Sequence, residues 1–176
     1  MEFNHIVEVG CDGKASLHHF ITPESRVQIF ECNPNHLFEC KRHYGNSPNV
    51  QIHPFAMWKE NTRVNFMLEG ATSHIEGLQA PCVVNDGIYS TNVIEVEART
   101  FDQFDDGTID IMDIDIEGAE WYVIERLKSR PKVIVVEMAW GNYINPHFTE
   151  IQKWMKDNFY YKFQEESAAH FYRRLA

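Results

Sequence analysis

The chain has 176 residues, of which 44% are hydrophobic and 24% are charged, as is ordinary for one soluble globular domain with a sizeable core. Its net charge of −10 disfavours nucleic acid as the main partner, because phosphate binding depends on lysine and arginine. No apolar run approaches the roughly 20 residues of a membrane span, and the N-terminus lacks a basic segment followed by an apolar one. Four scattered cysteines without a Cys-x-x-Cys pair predict reduced thiols. We therefore expect a cytoplasmic protein with no membrane partner.

Strand-like and helix-like segments alternate along the chain. Residues 5–10 and 26–32 are predicted strands, residues 14–21 are predicted to form one or two helical turns, and residues 33–45 are predicted to form a helix. The later predicted elements are a strand at 49–57 broken by Pro54, antiparallel or edge strands at 63–68 and 92–100, a strand at 109–116, a helix at 119–127, a buried strand at 132–138, an amphipathic helix at 148–159, and a hairpin at 160–164 and 170–175.

This order predicts an α/β fold, with an open, mostly parallel sheet covered by helices. The whole chain, residues 1–176, is predicted to be a single domain. The segment 69–92 is rich in Gly, Ser, Thr and Asn, which predicts a long loop or lid.

The first turn and the end of the second strand predict a nucleotide pocket. Ligands of open α/β sheets bind at the carboxyl ends of the strands, where the turn 10–13, Gly-Cys-Asp-Gly, follows the first strand. Glu31, followed by Cys32, lies ~20 residues further on, where an acid can accept both hydroxyls of a ribose. These features alone are compatible with a nicotinamide cofactor or with S-adenosylmethionine.

Three details favour S-adenosylmethionine. The full Gly-x-Gly-x-x-Gly pattern for a pyrophosphate is absent, since only Gly10 and Gly13 are present. Glu8, before the turn, suits the amino group of a methionine moiety better than it suits phosphates. The carboxylates of residues 113–120, Asp-Ile-Asp-Ile-Glu-Gly-Ala-Glu, would repel a dinucleotide and attract a sulfonium cation.

Six segments, in this order, resemble the motifs of the FkbM-type S-adenosylmethionine-dependent methyltransferases. They are VEVGCDGKAS, VQIFECNP, NVQIHPFAM, VEARTFDQF, IDIMDIDIEGAEWYVIERL and PKVIVVE, within residues 5–138. The resemblance implies a class I (Rossmann-like) three-layer sandwich with a mostly parallel seven-stranded sheet and a C-terminal antiparallel hairpin. It also implies transfer of a methyl group, usually to a hydroxyl oxygen of a sugar or natural product.

The resemblance also assigns roles to single residues. Glu8 and Gly10 match the acidic and first glycine positions of the cofactor motif, and Glu31 matches the ribose-binding acid. Phe55 and Ala56 match the adenine environment. The Asp-x-Glu-Gly signature corresponds to Asp115, Glu117 and Gly118, of which the two acids are the predicted catalytic residues.

Two departures from the family pattern concern the turn and the acceptor. The usual Gly-Ala-Asn-x-Gly turn is Gly-Cys-Asp-Gly here, which places Cys11 and Asp12 among the predicted cofactor contacts. Asp113 replaces a common lysine, which adds negative charge near the acceptor. The chain begins at its first strand, so we expect the 69–92 loop or a second copy of the chain to cover the pocket.

The chemistry predicted for the acids is acceptor positioning. If the strand 109–116 continues, alternation places Asp113, Asp115 and Glu117 on one side, and Asp115 is the best-placed base for a hydroxyl acceptor. Glu117 is equally compatible with a helix cap. His74, in the loop, and Trp140, after the fifth strand, are candidate substrate contacts.

Two alternatives remain open from the sequence alone. Asp-x-Asp carboxylates can hold magnesium or manganese, as in a glycosyl or phosphoryl transferase, although the predicted site needs no metal. A non-catalytic module would keep the sheet and lose the cofactor pocket. The predicted partner is a small-molecule or carbohydrate acceptor.

Overall fold

The computed structural model describes residues 2–88 and 90–175. The strands are β1 His5–Val9, β2 Arg26–Phe30, β3 Val50–His53, β4 Ala56–Met57, β5 Thr62–Met67, β6 His74–Ile75, β7 Val93–Arg99, β8 Ile111–Ile114, β9 Val133–Glu137, β10 Ala139–Trp140, β11 Tyr143–Ile144, β12 Tyr160–Glu166 and β13 Ala169–Arg174. The α-helices are α1 Pro34–Tyr44, α2 Pro81–Asp86, α3 Trp121–Ile124 and α4 Phe148–Asp157. Single 3-10 turns lie at His18–Phe20, Gly70–Thr72 and Phe101–Gln103.

The central sheet has seven strands in the order β12-β13-β9-β8-β1-β2-β3. The five strands from β9 to β3 pair in parallel, whereas β13 runs antiparallel to both β9 and β12. The predicted α/β fold is confirmed, and the sheet is mixed because the C-terminal hairpin inserts β13 between strands of the opposite direction.

A second sheet, in the order β4-β7-β5-β6, was not predicted as a separate layer. Pro54 separates β3 from β4, and β4 then pairs with β7 instead of continuing along the central sheet. The antiparallel pairing expected for the two polar-apolar segments is present between β5 and β7. In the chain, this second sheet follows the carboxyl end of β3 and precedes β8.

Apolar side chains pack on both faces of the central sheet, but the helices are shorter than the sequence predicts. One face carries α3, α4 and the core around Ile134 and Ile151, and the other carries α1 and the core around Ile29 and Cys40. The expected helix at 119–127 has only four helical residues, and the expected turns at 14–21 reduce to His18–Phe20. Within residues 2–88 and 90–175, no helix has the length and apolarity needed to cross a membrane.

The segment predicted as a loop or lid contains regular structure. It holds the turn Gly70–Thr72, the short strand β6 and the helix α2. Strand β6 pairs with β5, so this part of the segment belongs to the second sheet. Whether the segment moves as a lid stays a prediction.

Gly10, which follows β1, lies close against the main chain that follows β8. Its φ is +84°, and a Cβ built on it would lie 1.8 Å from the main-chain oxygen of Asp115. A side chain at this position would therefore be strained by the backbone angle and would also clash with the neighbouring strand end.

We expect Gly10→Ala to lower the free energy of unfolding by about 3 kcal/mol or more, because a left-handed alanine costs ~1–2 kcal/mol and overpacking adds ~1–3 kcal/mol. Gly107→Ala is the matched control, since Gly107 has a similar φ of +89° and no atom within 4 Å of its virtual Cβ. Urea unfolding followed by circular dichroism measures both variants. Equal losses in the two variants would contradict the role of the close approach.

Candidate active site

A cleft opens at the carboxyl ends of β1, β2, β3 and β8. Its floor is formed by the turns that follow these strands, and its far wall comes from the second sheet through Phe66, Ala71, Ser73 and Ile75. The lid segment 69–92 thus contributes directly to the lining. The position agrees with the general place of ligands in open α/β sheets.

Glu31 lies in this cleft at the end of β2 and is buried. One of its carboxylate oxygens accepts a hydrogen bond from the Cys11 amide at 3.0 Å, and the other accepts one from the Asn33 amide at 2.6 Å. Each carboxylate oxygen has a second lone pair, so the group can still accept from a ligand. The Glu31 side chain therefore connects the turn after β1 with the residues that follow β2.

The turn residues 10–13 divide between the cleft and its surroundings. Gly10, Cys11 and Asp12 line the cleft, as does Cys32 after β2. Gly13 is not among the lining residues; its φ is +79°, and a Cβ on it would lie 2.9 Å from the Glu39 side chain. Gly13 therefore shapes the turn without facing the cleft.

His36, which the sequence analysis did not select, joins this group from α1. Its Nε2 lies 3.0 Å from an Asp12 carboxylate oxygen, and its Nδ1 lies 3.8 Å from Glu31. Hydrogen bonding to Glu31, more than its burial, determines the shift and raises the pKa of His36. The only signal in the sequence was its place in the first turns of a helix that begins beside Glu31.

The structure places Glu8 outside the cleft, unlike the sequence-based expectation. Glu8 is buried in β1, and its two carboxylate oxygens accept the amides of Ser16 and Leu17 at 2.6 and 3.3 Å. The carboxylate therefore holds the chain that follows the first turn. Strand alternation explains the difference, because Glu8 points to the opposite face from its neighbours Val7 and Val9.

Phe55 and Ala56 both line the cleft, next to Met57. Phe55 is half-buried and packs near Phe104, and the Arg99 guanidinium lies 5.7 Å from the centre of its ring. These side chains offer an apolar wall at the end of the cleft near β3 and β4, as a flat aromatic ligand requires.

Asp115 and Glu117 line the cleft at the end of β8, but Asp113 does not. The Ser16 hydroxyl donates a hydrogen bond to Asp113, which lines a separate apolar groove on the other side of the sheet. The expectation that the three acids share one side was wrong because β8 ends at Ile114 and alternation stops there. The turn that follows directs Asp115 into the cleft.

Glu117 and Glu120 shape this acidic turn. Glu117 has a left-handed backbone with φ of +58°, a conformation that costs energy for a residue with a side chain. Glu120 is fully buried, and one of its oxygens accepts the amides of Ile116 and Gly118 at 3.0 and 3.1 Å. The side-chain amide of Asn145 donates a hydrogen bond to the other Glu120 oxygen at 2.6 Å. Glu120 thus holds the loop that presents Asp115 and Glu117.

Glu137 and Tyr143 complete the acidic cluster and were not selected from the sequence. Both are buried, and within residues 2–88 and 90–175 the Tyr143 hydroxyl and one carboxylate oxygen of Glu137 have no hydrogen-bond partner. The same holds for one oxygen of Glu117. Glu137 ends the apolar strand β9 as Glu31 ends β2, which is a signal that could have identified it. Nothing in the sequence marked Tyr143.

Burial raises the pKa of each acid in the cluster. The pKa of Glu117 rises to about 9, that of Glu120 to about 7 and that of Glu137 to about 10, with desolvation as the largest cause and repulsion from Asp115 as a further one. The pKa of Asp115 is raised as well, by desolvation. Perturbed carboxyl groups in a cleft are typical of functional sites.

The two candidate substrate contacts lie away from this cleft. His74 is buried in β6, where its Nδ1 lies 2.9 Å from the Thr72 main-chain oxygen and 3.9 Å from the Cys82 sulfur. Trp140 is half exposed on the short β10 strand. Neither residue is among those that line the cleft. The reason is that β6 turns the His74 side chain toward Cys82 of α2, and the β10-β11 hairpin carries Trp140 outward.

An α/β fold with an acid-lined cleft at its strand ends is compatible with a methyltransferase, among other α/β enzymes. The sequence model of the family described as "Methyltransferase FkbM domain" matches residues 10–163. The chain belongs to the FkbM methyltransferase domain family, and the resemblance inferred from the sequence is confirmed.

The fold is similar to two solved methyltransferase structures. Methyltransferase FkbM from Methylobacillus flagellatus KT superposes with a TM-score of 0.60 at 12% identity, covering 97% of this chain and 43% of that one. A methyltransferase from Geobacter sulfurreducens superposes with a TM-score of 0.53 at 16% identity, covering 99% of this chain and 72% of that one. The present chain thus spans less than half the length of the Methylobacillus protein. No curated protein sequence matches the chain.

Glu8 gives a prediction for the pH dependence of stability. Burial, and next to it the charge of Asp113, raises the pKa of Glu8 from 4.5 to about 8. The folded chain then binds the proton more tightly than the unfolded chain, so this contribution to stability is complete below pH 4.5 and is lost as the pH rises to about 8.

We expect Glu8→Gln to gain stability relative to the parent chain as the pH rises from 5 to 8, by up to about 1.4 kcal/mol per pH unit. Urea unfolding at several pH values measures the difference. Glu150→Gln, on the exposed side of α4, is the control and should follow the parent chain. Parallel curves for the parent and Glu8→Gln would contradict the shifted pKa.

Proposed function

We propose that the protein is an S-adenosylmethionine-dependent methyltransferase that methylates a hydroxyl oxygen of a sugar or another small molecule. The observation that carries the proposal is a single cleft bounded by Glu31 at the end of β2 and by Asp115 at the end of β8. Membership of the FkbM methyltransferase domain family supports the reaction type.

The residues of the cleft fit this cofactor. Glu31 is placed to accept ribose hydroxyls, and Phe55 with Ile75 offers apolar surface for an adenine ring. Among the described residues, the lining contains no lysine or arginine to pair with a phosphate. Asp12 and Asp115 contribute negative charge, which favours a cation such as a sulfonium.

When bound, S-adenosylmethionine supplies a methyl carbon on a sulfonium, and the electron pair of the broken carbon–sulfur bond stays with the sulfur. The protein has to bring an acceptor oxygen into line with that carbon and exclude water. Asp115 is the group that would orient the acceptor hydroxyl and take its proton at a carboxylate oxygen. Burial raises the pKa of Asp115, which makes the carboxylate a stronger base.

We expect Glu31→Ala to weaken the binding of S-adenosylmethionine and of S-adenosylhomocysteine by at least ~10-fold, since a hydrogen bond to a charged group is worth ~1.5–3 kcal/mol. Isothermal titration calorimetry measures both ligands. Glu31→Gln serves as a second variant because it keeps the size of the side chain and can still accept one of the Cys11 and Asn33 amides.

Glu150→Ala, which removes an exposed acid of α4, is the charge-matched control and should bind as the parent chain does. Unchanged affinity in both Glu31 variants, or tighter binding of NAD than of S-adenosylmethionine by the parent chain, would overturn the cofactor assignment.

We expect Asp115→Asn to lower the rate of methyl transfer by ~10²–10⁴-fold, the usual effect of removing a general base. Its affinity for the cofactor should fall far less than the rate, because Glu31, Asp12 and the apolar wall remain. A radiolabelled methyl-transfer assay on a panel of sugars and other hydroxyl compounds measures the rate, and the melting temperature is recorded on the same preparation. A lower melting temperature with unchanged turnover would instead indicate a structural role.

A further inference from the structure

Three carboxylates on two strand ends converge on one point beside the cleft. One oxygen of Asp115, one of Glu117 and one of Glu137 all lie within 4.8 Å of one another. A cation with oxygen ligands at ~2.1–2.4 Å bridges oxygens up to ~4.2–4.8 Å apart, so a single ion can contact all three.

When these acids are ionised, no positively charged side chain of the described residues balances their charge. Within residues 2–88 and 90–175, no lysine, arginine or histidine forms an ion pair with Asp115, Glu117, Glu120 or Glu137. Buried carboxylates are normally paired with a cation or coordinate a metal. The fourth acid, Glu120, is already satisfied by two amides and the Asn145 side chain, which leaves Glu117 and Glu137 as the buried acids in need of a partner.

Tyr143 is a second and independent sign of a missing ligand. Its side chain is fully buried, and no described residue bonds to its hydroxyl. The hydroxyl lies beside the acidic turn, 3.6 Å from the place where a Cβ on Gly118 would stand. One oxygen each of Glu117 and Glu137, both more than nine-tenths buried, is likewise without a partner in the described part of the chain. A bound ion with its water would satisfy these three atoms together.

We propose that Asp115, Glu117 and Glu137 form a binding site for one divalent cation, with Tyr143 contacting a water molecule on the ion. An all-oxygen ligand set suits the hard ions Mg²⁺, Mn²⁺ and Ca²⁺ and does not suit zinc or copper sites, which use nitrogen or sulfur. Asp115 and Glu117 also line the cleft, so the remaining coordination positions of the ion face it. An oxygen of the acceptor could occupy one of them.

This proposal departs from the metal-free site expected from the sequence. The sequence analysis considered only the Asp-x-Asp pattern, and in the structure Asp113 lies elsewhere, bonded to Ser16. The third carboxylate of the site is instead Glu137, which belongs to β9, the strand next to β8. The site therefore depends on the pairing of β8 with β9 and not on the Asp-x-Asp motif.

The test uses Mn²⁺ as the probe, on the full chain after treatment with a chelator. Electron paramagnetic resonance titration should show one bound Mn²⁺ per chain, displaced by Mg²⁺ or Ca²⁺. Glu137→Gln and Asp115→Asn should each weaken Mn²⁺ binding at least tenfold, and added Mn²⁺ should raise the melting temperature of the parent chain more than that of either variant. Glu125→Gln, an exposed acid next to α3, should bind Mn²⁺ as the parent does.

Asp115→Asn keeps the test decisive if Glu137→Gln fails to fold, because the Asp115 side chain is exposed within the cleft and is not part of the core. Absence of saturable Mn²⁺ binding up to millimolar concentration, or binding that Asp115→Asn leaves unchanged, would overturn the proposal. Calorimetry with S-adenosylmethionine in the presence of chelator is a separate measurement, so failure of the metal site and failure of the proposed function are distinguishable.

Discussion

The close contact between Gly10 and the main chain of Asp115 is the constraint on which the site depends. Gly10 donates its amide to the Phe30 oxygen, and Asp115 donates its amide to the Val9 oxygen, so the pairing of three strands continues into the turns. Only a residue without a side chain allows this approach. The turn beside Glu31 and the turn that presents the acids are thereby joined at one point.

Two buried carboxylates hold the loops on either side of this contact. Glu31 accepts amides from the turn after β1 and from the start of α1, and Glu120 accepts amides from the turn after β8. Each group replaces the water that the loop amides would otherwise bind. The loops of the cleft are therefore held by side chains of the central sheet and its helices, which is how a site on loops can keep a defined geometry.

The acidic cluster sets the electrostatics of the other end of the cleft. Four carboxyl groups lie near one another, three of them buried and Asp115 open to the cleft, and each has a raised pKa because desolvation disfavours its charged form. Such an arrangement is unfavourable for folding unless protons or a cation occupy it. The acidic cluster lies beside the cleft, where such an unfavourable arrangement is expected to serve the proposed chemistry.

The sequence by itself determined the α/β class, the family and about half of the residues that line the cleft. Alternating apolar strands and helices, the glycine turn and an acid at the end of β2 are local patterns, and local patterns are readable without coordinates. Gly10, Glu31, Phe55 and Asp115 all follow strand ends, and parallel strands bring their carboxyl ends to one edge.

Only the tertiary structure decided which acids meet. Glu8 and Asp113 face the opposite side of the sheet, whereas Glu137 and Tyr143 reach the cluster from β9 and β11, far along the chain. The direction of a side chain after a strand depends on the residue at which the strand ends, and β8 ends one residue before Asp115. That limit is set by pairing with β1 and β9, a long-range interaction that no short sequence pattern contains.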